Sequence, residues 1–398
     1  MRIVITGASG FVGQQLVPLL MKSGASLLLV GRSKQKLETI FPQIPLCSYD
    51  DIAIRAVGFD ALIHLSAANN DQVGSIEQFW DANVKLTVQV ISAAQTAGVT
   101  RIINFSSIHA LDMTNTSFYA ETKRAAADAI GEMNNDRIET VYLPLIYGRQ
   151  WKGKLSVLNR LPKFLGKAFF SVLAALKPSV HVDLLAAYIT DLSEKRPQGD
   201  AILTDDIGKN FTYLFVKRMT DLFFAIVVAL FLGWALVLIW GIIRLQSSGP
   251  GLFIQDRVGQ HGKVFSCYKF RTMKLGTRQA GTHEITASSV TTLGAFLRKT
   301  KIDELPQIWN IICNEMSLIG PRPCLPMQKT LVEARARRGV LDIKPGISGL
   351  AQIQNVDMSD PERLAALDAR YKSLRCLVLD AKIMLATAVG GGQGDKTR

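Results

Sequence analysis

Short apolar runs punctuate the first half of the chain, each ended by glycine or polar residues. Arg2 to Thr6, Ser26 to Val30, Ala61 to Ala67 and Arg101 to Ser107 read as strands, the first buried and the third central. Gln14 to Lys22 reads as the helix that follows the first of them. Further on, Asp205-Asp-Ile-Gly-Lys-Asn210 is polar and breaks the pattern, which places a domain boundary there. An uncharged run then extends from Leu222 to Ile243. As a helix, its roughly 22 residues would reach about 33 Å, enough to span a bilayer. Near the end, Ser359-Asp-Pro-Glu362 is a capping box opening a helix to about Ser373. Leu374 to Val389 is a periodic apolar run suited to the core or a membrane surface. The Gly- and Lys-rich tail beyond it is expected to be disordered.

Composition narrows the function classes. A length of 398 residues leaves room for two ordinary domains. The hydrophobic share of 48% and mean hydropathy of +0.18 are high for a soluble enzyme and point to membrane contact. A formal charge of +13 suits an anionic partner, whether phosphorylated substrate, acidic lipid or nucleic acid. No zinc-finger spacing or aromatic-basic RNA-binding signature occurs, so nucleic acid is not expected. Cys47, Cys267, Cys313, Cys324 and Cys376 show no paired spacing, which fits a reducing cytoplasm. The first strand begins directly after Met1, so no secretory signal is expected.

The first strand leads into Gly7-Ala-Ser-Gly10-Phe11-Val12-Gly13. Glycines at such a turn let backbone approach a pyrophosphate, which a helix N-terminus stabilises. A glycine set alone is also what a plain tight turn looks like. Arg32 follows the second strand, where an acid would select NAD and an arginine accommodates a 2′-phosphate, so NADP(H) is expected. Tyr119 and Lys123 are spaced to share one helix face. A cation beside a phenol is expected to lower its pKa into a usable acid/base range, although such a pair is as readily a solvated face. His64 is expected to be a satisfied core histidine.

Together, Gly7/Gly10/Gly13, Ser107, Tyr119 and Lys123 resemble the short-chain dehydrogenase/reductase superfamily. Pro144-Leu-Ile-Tyr-Gly148 and His181-Val-Asp183 make the likeness closest to its extended, nucleotide-sugar branch. The resemblance implies a Rossmann-like doubly wound sheet. It implies proton exchange by Tyr119, activation by Lys123, and a substrate hydrogen bond from Ser107, with Ser106 as a substitute. The portion after Lys123 is shorter than the family's substrate-binding part. Leu155 to Leu176, basic and apolar, is expected to pack on the sheet as a helix or to form a shortened lid.

In the second half, Arg298-Lys-Thr-Lys-Ile-Asp303-Glu304 sets two adjacent carboxylates among cations. That setting is expected to keep them ionised, as a nucleophile or metal ligand requires. The ordinary alternative is a helix start with Asp303 as cap and Glu304 in the first turn. Arg257, Lys269, Arg271, Arg298 and Arg322 are candidate phosphate ligands, since guanidinium forks match phosphate oxygens. The bland reading of these cations is a basic surface resting on acidic lipid. His283, beside Glu284, reads as loop decoration rather than a metal site.

Six stretches then fall in order: Ser248-Gly-Pro250, Gln255-Asp-Arg-Val-Gly259, Lys269-Phe-Arg-Thr-Met273, the Asp303-Glu304 segment, Met316-Ser-Leu-Ile-Gly-Pro-Arg-Pro323 and Lys344-Pro-Gly-Ile-Ser-Gly-Leu-Ala-Gln352. This set closely resembles the bacterial sugar transferase family, the monotopic phosphoglycosyl transferases. The resemblance implies a re-entrant membrane helix, a small α/β catalytic domain, and Asp303-Glu304 as catalytic centre and Mg²⁺ site. It further implies a covalent phosphosugar on Asp303, formed from a UDP-sugar and passed to undecaprenyl phosphate.

Cations flank the apolar run at both ends, Lys217/Arg218 before and Arg244/Arg257 after, so charge gives no direction across a bilayer. NADP(H) and nucleotide sugars are both cytoplasmic, and a single span would strand one domain. The helix is therefore expected to enter the inner leaflet and return, bending near Gly233-Trp234.

The expected organisation is a dinucleotide-binding domain over 1–208, a linker over 209–216, a re-entrant helix over 217–246, the transferase over 247–389 and a tail over 390–398. Both domains are expected on the cytoplasmic face of a bacterial inner membrane, and a homodimer is compatible with the sequence. The function expected is a phosphoglycosyl transferase with an NADPH-dependent UDP-4-keto-sugar reductase ahead of it. The alternative is a transferase whose N-terminal half is a non-catalytic module. Neither the sugar nor its C4 stereochemistry is fixed by these residues.

Overall fold

The computed structural model describes residues 1–68, 74–148, 162–191, 200–246, 248–274 and 290–390. The start of the Leu155 to Leu176 stretch, His283, and the tail from residue 391 lie outside them. The chain divides into two compact units, Met1–Lys167 with Pro178–Asp205, and Ala168–Lys177 with Asp206–Arg398.

In the first unit the strands are β1 (Arg2–Thr6), β2 (Ser26–Val30), β3 (Leu46–Cys47), β4 (Ala61–His64), β5 (Arg101–Ser107), β6 (Ile138–Leu143), β7 (Leu145–Tyr147), β8 (Ser179–His181) and β9 (Ala201–Ile202). Seven of them form one sheet in the order β3-β2-β1-β4-β5-β6-β9, parallel throughout. β1 lies between β2 and β4, with Ile3 beside Leu27 and Ala61. The strand order reverses at β1, and ligands bind doubly wound sheets outside the strand ends at such a point. Alternate side chains feed two separate cores, as a sheet covered on both faces requires. Ile3, Ile5, Leu27, Leu29 and Ile63 pack with Leu16, Val17 and Leu20 of α1 (Phe11–Lys22). Val4, Leu28, Val30 and Leu62 pack with Val90, Ile91 and Ala94 of α2 (Leu86–Thr96). The unit also contains α3 (Phe118–Glu132) and α5 (Val182–Thr190). His64 is fully buried, within 2.9 Å of Thr6 Oγ1 and 3.1 Å of Thr87 Oγ1, the satisfied core histidine expected.

The helix expected before residue 178 is present as α4 (Lys163–Leu176). Its residues 168–177 belong to the second unit, not to the sheet. Ser171 accepts at its carbonyl from Asn210 Nδ2 (2.9 Å), and its hydroxyl meets Asn210 Oδ1 and Thr212. For this part, packing on the sheet is therefore corrected.

The second unit is organised on α6 (Phe211–Gln246), 36 residues with a mean hydropathy of 3.0 in its most apolar window. Its start is earlier than the expected 217, so most of the expected linker is helix. It also runs without a break through Gly233-Trp234, where a bend was expected. With no proline in the run every backbone donor is kept, and Gly233 has no close neighbour to force a kink. One face of α6 follows the rest of the unit along its length. Lys217 binds Ile319 O (3.0 Å) and Asp380 (2.8 Å), and Arg218 binds Ile311 O (2.8 Å). Asp221 accepts from Ser317 Oγ (3.0 Å) and Leu318 N (2.8 Å). Ala225 and Val228 pack with Phe265, Ile308 and Met316, and Ile243 packs with Phe270 and Leu297. From Lys217 to Ile243 that is about 39 Å of helix axis at 1.5 Å per residue. The opposite face exposes Phe223, Leu230, Phe231, Trp234, Val237 and Leu245.

The rest of this unit comprises the antiparallel pair β10 (Leu252–Val258) and β11 (Val264–Phe270), the parallel pair β12 (Ser317–Ile319) and β13 (Gly346–Ser348), and short helices. The helices used below are α7 (Thr292–Thr300), α8 (Ile308–Ile312), α9 (Lys329–Arg337), α10 (Pro361–Leu374) and α11 (Leu377–Ala388).

Candidate active sites

The acid pair sits in a 3₁₀ turn, Ile302–Gln307, entered through Lys301 in the left-handed region at φ 57°. Lys301 occupies the cap position and no side chain caps the turn, so Asp303 is not the cap of an ordinary helix. Glu304 is buried, and its Oε1 accepts from both Lys269 Nζ (2.9 Å) and Arg322 Nη2 (2.8 Å). Burial alone would raise the pKa of Glu304. Arg322 and Lys269 outweigh it and hold that carboxyl well below the usual range. Asp303 goes the other way. Burial pushes it up to about 6, the charge of Glu304 adds to the rise, and Lys269, Arg298 and Arg322 only partly oppose it. The expectation that the cations keep Asp303 at a low pKa is therefore corrected. The neighbouring carboxylate takes two of the cations in direct ion pairs, and Asp303 is left the more basic member.

Each cation has a distinct placement. Lys269 projects from β11, whose position is fixed by buried Asn310. That amide accepts from Tyr268 N (3.2 Å) and donates to Ser266 O (2.8 Å) and Glu315 (2.7 Å). Arg298, on α7, donates through Nε to Thr272 Oγ1 (3.0 Å), while its buried Nη1 has no hydrogen-bond partner among the described residues. An orphaned guanidinium donor near a basic carboxylate fits an anion, because a buried donor left unpaired is costly. Arg322 stands in the turn where Gly320-Pro-Arg-Pro323 meets the Lys344-to-Gln352 segment. Gly320 N binds Ser348 O (2.8 Å), Gly346 N binds Pro321 O (2.9 Å), and a Cβ on Gly320 would lie 2.5 Å from Lys344 O.

Two of the expected phosphate ligands are engaged in scaffolding instead. Arg257 donates to Pro323 O (3.0 Å) and Gln255 Oε1 (2.6 Å). Arg271 donates to Ser248 O (2.8 Å) and Ile243 O (3.3 Å), satisfying carbonyls at the end of α6. Arg271, already placed on carbonyls at both of these contacts, is the poorer candidate for a ligand, whereas Arg257 keeps a buried Nε with no partner among the described residues. Sequence reasoning gave no role to Asn310, Thr272, Arg335 and Asp368. Thr272 lies within the Lys269-to-Met273 stretch, but each of the four acts by fixing another residue and so announces no chemistry of its own.

In the first unit, Gly7 leaves β1 at φ +74°, and a Cβ there would lie 2.8 Å from the backbone of Leu65 and Ser66. Gly10 is the N-cap of α1, with no side-chain cap, and Phe11, Val12 and Gly13 form the first turn. A helix N-terminus without a side-chain cap, at the switch point of the sheet, is where a pyrophosphate binds. Arg32 is exposed just beyond β2. Ser107 hydrogen-bonds Tyr119, and Ser106 Oγ is buried without a partner among the described residues, so Ser107 is the hydroxyl at the phenol. Lys123, nearly fully buried, reaches Phe105 O at 3.4 Å. Burial pulls its amine down to about 8. Burial also raises the phenol of Tyr119, with Ser107 opposing, and Lys123 does not contribute. The expected lowering of the Tyr119 pKa is corrected: desolvation dominates. Asn83, also missed from the sequence, pins the loop after β4 by exchanging hydrogen bonds with the backbone of Ala68.

Among the described residues no cluster of three or more His, Cys, Asp or Glu could cage a metal ion. Asp303 with the second oxygen of Glu304 fits only an ion shared with a substrate's phosphates, the usual way of holding Mg²⁺.

The family model described as bacterial sugar transferase matches residues 212–391, and that of the NAD dependent epimerase/dehydratase family matches 3–169. A sugar transferase of Bacillus subtilis, EpsL, itself uncharacterised, is 37% identical over 175 residues, covering 44% of this chain and 86% of its own. The galactosyl transferase CpsE of Streptococcus agalactiae is 32% identical over 226 residues, covering 52% of this chain and 50% of its own. An Aeromonas hydrophila enzyme named UDP-N-acetylgalactosamine-undecaprenyl-phosphate N-acetylgalactosaminephosphotransferase is 35% identical over 187 residues, covering 44% of this chain and 43% of its own. The chain thus spans about half or less of the length of these last two relatives. With Asp303, Glu304 and their cations all inside the matched region, the chain belongs to the bacterial sugar transferase family and carries an epimerase/dehydratase-like domain ahead of the transferase.

Proposed function

We propose that the chain is a membrane-associated bifunctional enzyme of bacterial glycan assembly. Its C-terminal unit transfers a phosphosugar from a UDP-sugar to undecaprenyl phosphate. Its N-terminal unit reduces a UDP-4-keto-sugar with NADPH. The observation that carries the transferase reading is the split within the acid pair. Glu304 is locked between Lys269 and Arg322, and Asp303 beside it is held basic in a partly buried, cationic pocket.

An ionised Asp303 attacks the phosphorus that bears the sugar, the bond to the UMP oxygen breaks, and UMP leaves. Undecaprenyl phosphate then attacks the phosphoaspartyl, and the Asp303 carboxylate is released. Arg298 and Arg322, with Lys269, stabilise charge on the transferred phosphoryl. Asp303 and Glu304 would hold Mg²⁺, which supplies charge neutralisation at the diphosphate. Incubation with a panel of UDP-sugars, undecaprenyl phosphate and Mg²⁺ tests the transfer, and the expected outcome is UMP release that requires the lipid for turnover. No UMP from any donor would reject it.

The membrane reading follows from α6. A spanning helix would leave a cytoplasmic domain touching one end only, whereas α6 follows its own unit from Lys217 to Ile243. We place it in the inner leaflet, with the exposed apolar face to lipid and both units on the cytoplasmic side.

For the N-terminal unit, Tyr119 gives the proton to the ketone oxygen as hydride arrives at the carbon, Ser107 binds that oxygen, and Lys123 supplies the local positive charge. Gly7, Gly10 and the first turn of α1 would hold the cofactor pyrophosphate, and Arg32 a 2′-phosphate; the cofactor supplies the hydride. The short stretch of chain after Lys123 favours a second reading, in which this unit only binds a nucleotide. Tyr119→Phe separates the two, since a reductase loses NADPH oxidation and a binding module has none to lose.

A further inference from the structure

We propose that His109 is a substrate-binding group of the N-terminal site, donating its Nε2–H to an acceptor oxygen on the sugar whose carbonyl meets Tyr119. This rests on the reductase reading and adds a residue to it. The loop from Ile108 to Ser117 leaves the end of β5 directly after Ser107. Ser107 Oγ accepts from His109 N at 3.3 Å, so the backbone of the loop is tied to the serine that contacts Tyr119. The imidazole stands edge-on to the Tyr119 ring, with centroids 6.2 Å apart and planes at 68°.

The position of the imidazole proton follows from its neighbour. Asn115 Oδ1 accepts from Ser117 N at 3.1 Å, and a backbone N–H can only donate, which fixes the orientation of the amide. Asn115 Nδ2 therefore faces His109 Nδ1, at 3.3 Å, and it too can only donate. Nδ1 is the acceptor, so in the neutral ring the proton sits on Nε2. That Nε2–H has no partner among the described residues, although the residue is exposed beside the phenol. The loop that presents it is braced by Arg124, which donates to the carbonyls of Ala110 (3.2 Å), Asp112 (2.8 Å) and Asn115 (3.2 Å). A merely decorative histidine would not need a fixed tautomer on a braced loop next to Ser107. A donor held in this way selects a hydroxyl or amide oxygen and rejects a bare methylene, because the polar group would be left unpaired.

The test uses the full-length protein with NADPH and UDP-2-acetamido-2,6-dideoxy-hexos-4-ulose, comparing wild type, His109→Phe and His109→Gln by NADPH oxidation. NADPH binding by fluorescence reports whether each variant is folded. His109→Phe is expected to keep NADPH affinity and to lose about tenfold in kcat/KM, mainly through KM. His109→Gln, whose amide N–H reaches a similar place, is expected to recover most of that loss. Unchanged kcat/KM in His109→Phe, or a glutamine variant as impaired as the phenylalanine one, would overturn the assignment while the reductase reading stands. A wild type that oxidises no NADPH with this ketone removes the reductase reading, and the role of His109 with it.

Discussion

Arg335 donates to the backbone carbonyl of Arg322 across 2.9 Å, while its Nε and Nη2 hold Asp368 at 2.9 and 2.7 Å. Both partners of this ion pair are almost fully buried. The Arg322 turn is thus fixed from behind by a charge pair joining α9 and α10, with Arg257 holding the next carbonyl, that of Pro323. Removing one member leaves an uncompensated buried charge, which costs about 3–5 kcal/mol. Arg335→Met is expected to lower stability by that amount in urea unfolding and to abolish UMP release. The double variant Arg335→Met/Asp368→Leu is expected to regain stability but not transfer rate, since the carbonyl of Arg322 still lacks its donor. A double variant with normal turnover would remove Arg335 as a positioning residue.

The acid pair gives the transferase a pH profile. In the proposed transfer Asp303 must be ionised to attack, and its pKa is pushed up to about 6 by burial and by Glu304. Turnover is expected to fall as pH drops through that value, above the ordinary carboxylate range. Stability responds in the opposite sense at the two acids. Glu304, held low by its cations, contributes stability above its unfolded pKa that is lost on acidification, whereas ionised Asp303 opposes folding. Glu304→Gln is expected to shift the acid limb toward lower pH, as the like charge disappears. An unmoved limb would mean that burial alone sets it.

His64 makes the first unit acid-sensitive. Burial, with a lesser effect of Lys123, pulls its pKa down to about 3, so the folded state stays neutral where the unfolded chain is protonated. The unfolded state then binds more protons, and stability rises with pH between about 3 and the unfolded value of about 6.5. The slope is expected to reach at most about 1.4 kcal/mol per pH unit. Denaturation midpoints of wild type and His64→Gln across that range check the sign, and a parallel dependence in both would refute it.

The placement of α6 predicts where reagents can reach. Single cysteines at Phe211 and Gln246, in a background without other reactive thiols, are expected to label only from the cytoplasmic side of inverted vesicles. Leu230 and Trp234, on the exposed apolar face, are expected to be shielded from aqueous reagent on both sides. Labelling of the two ends from opposite sides would mean the helix spans.

Much of this molecule could be read before folding. The buried strands followed from short continuous apolar runs, the doubly wound sheet from the resemblance carried by Gly7, Gly10, Gly13, Ser107, Tyr119 and Lys123, and the acid pair stood out among its cations. What could not be read was how charge is shared. Adjacent Asp303 and Glu304 look equivalent in sequence, and only the reach of Lys269 from β11 and Arg322 from its turn separates them. The same limit applied to Arg257 and Arg271, whose bonds to the carbonyls of Pro323, Ser248 and Ile243 no motif reports. The bend expected in α6 rested on a glycine, which permits a kink but does not impose one. The partner of α4 depends on Ser171 meeting Asn210, a contact no periodicity reports.

The most direct test is intact-protein and peptide mass spectrometry of enzyme mixed with UDP-sugar and Mg²⁺ in the absence of lipid acceptor. A phosphosugar adduct mapping to Asp303, lost in Asp303→Asn and discharged by undecaprenyl phosphate, is the predicted result. Lipid product forming normally while Asp303 never carries that mass would contradict covalent transfer through this residue.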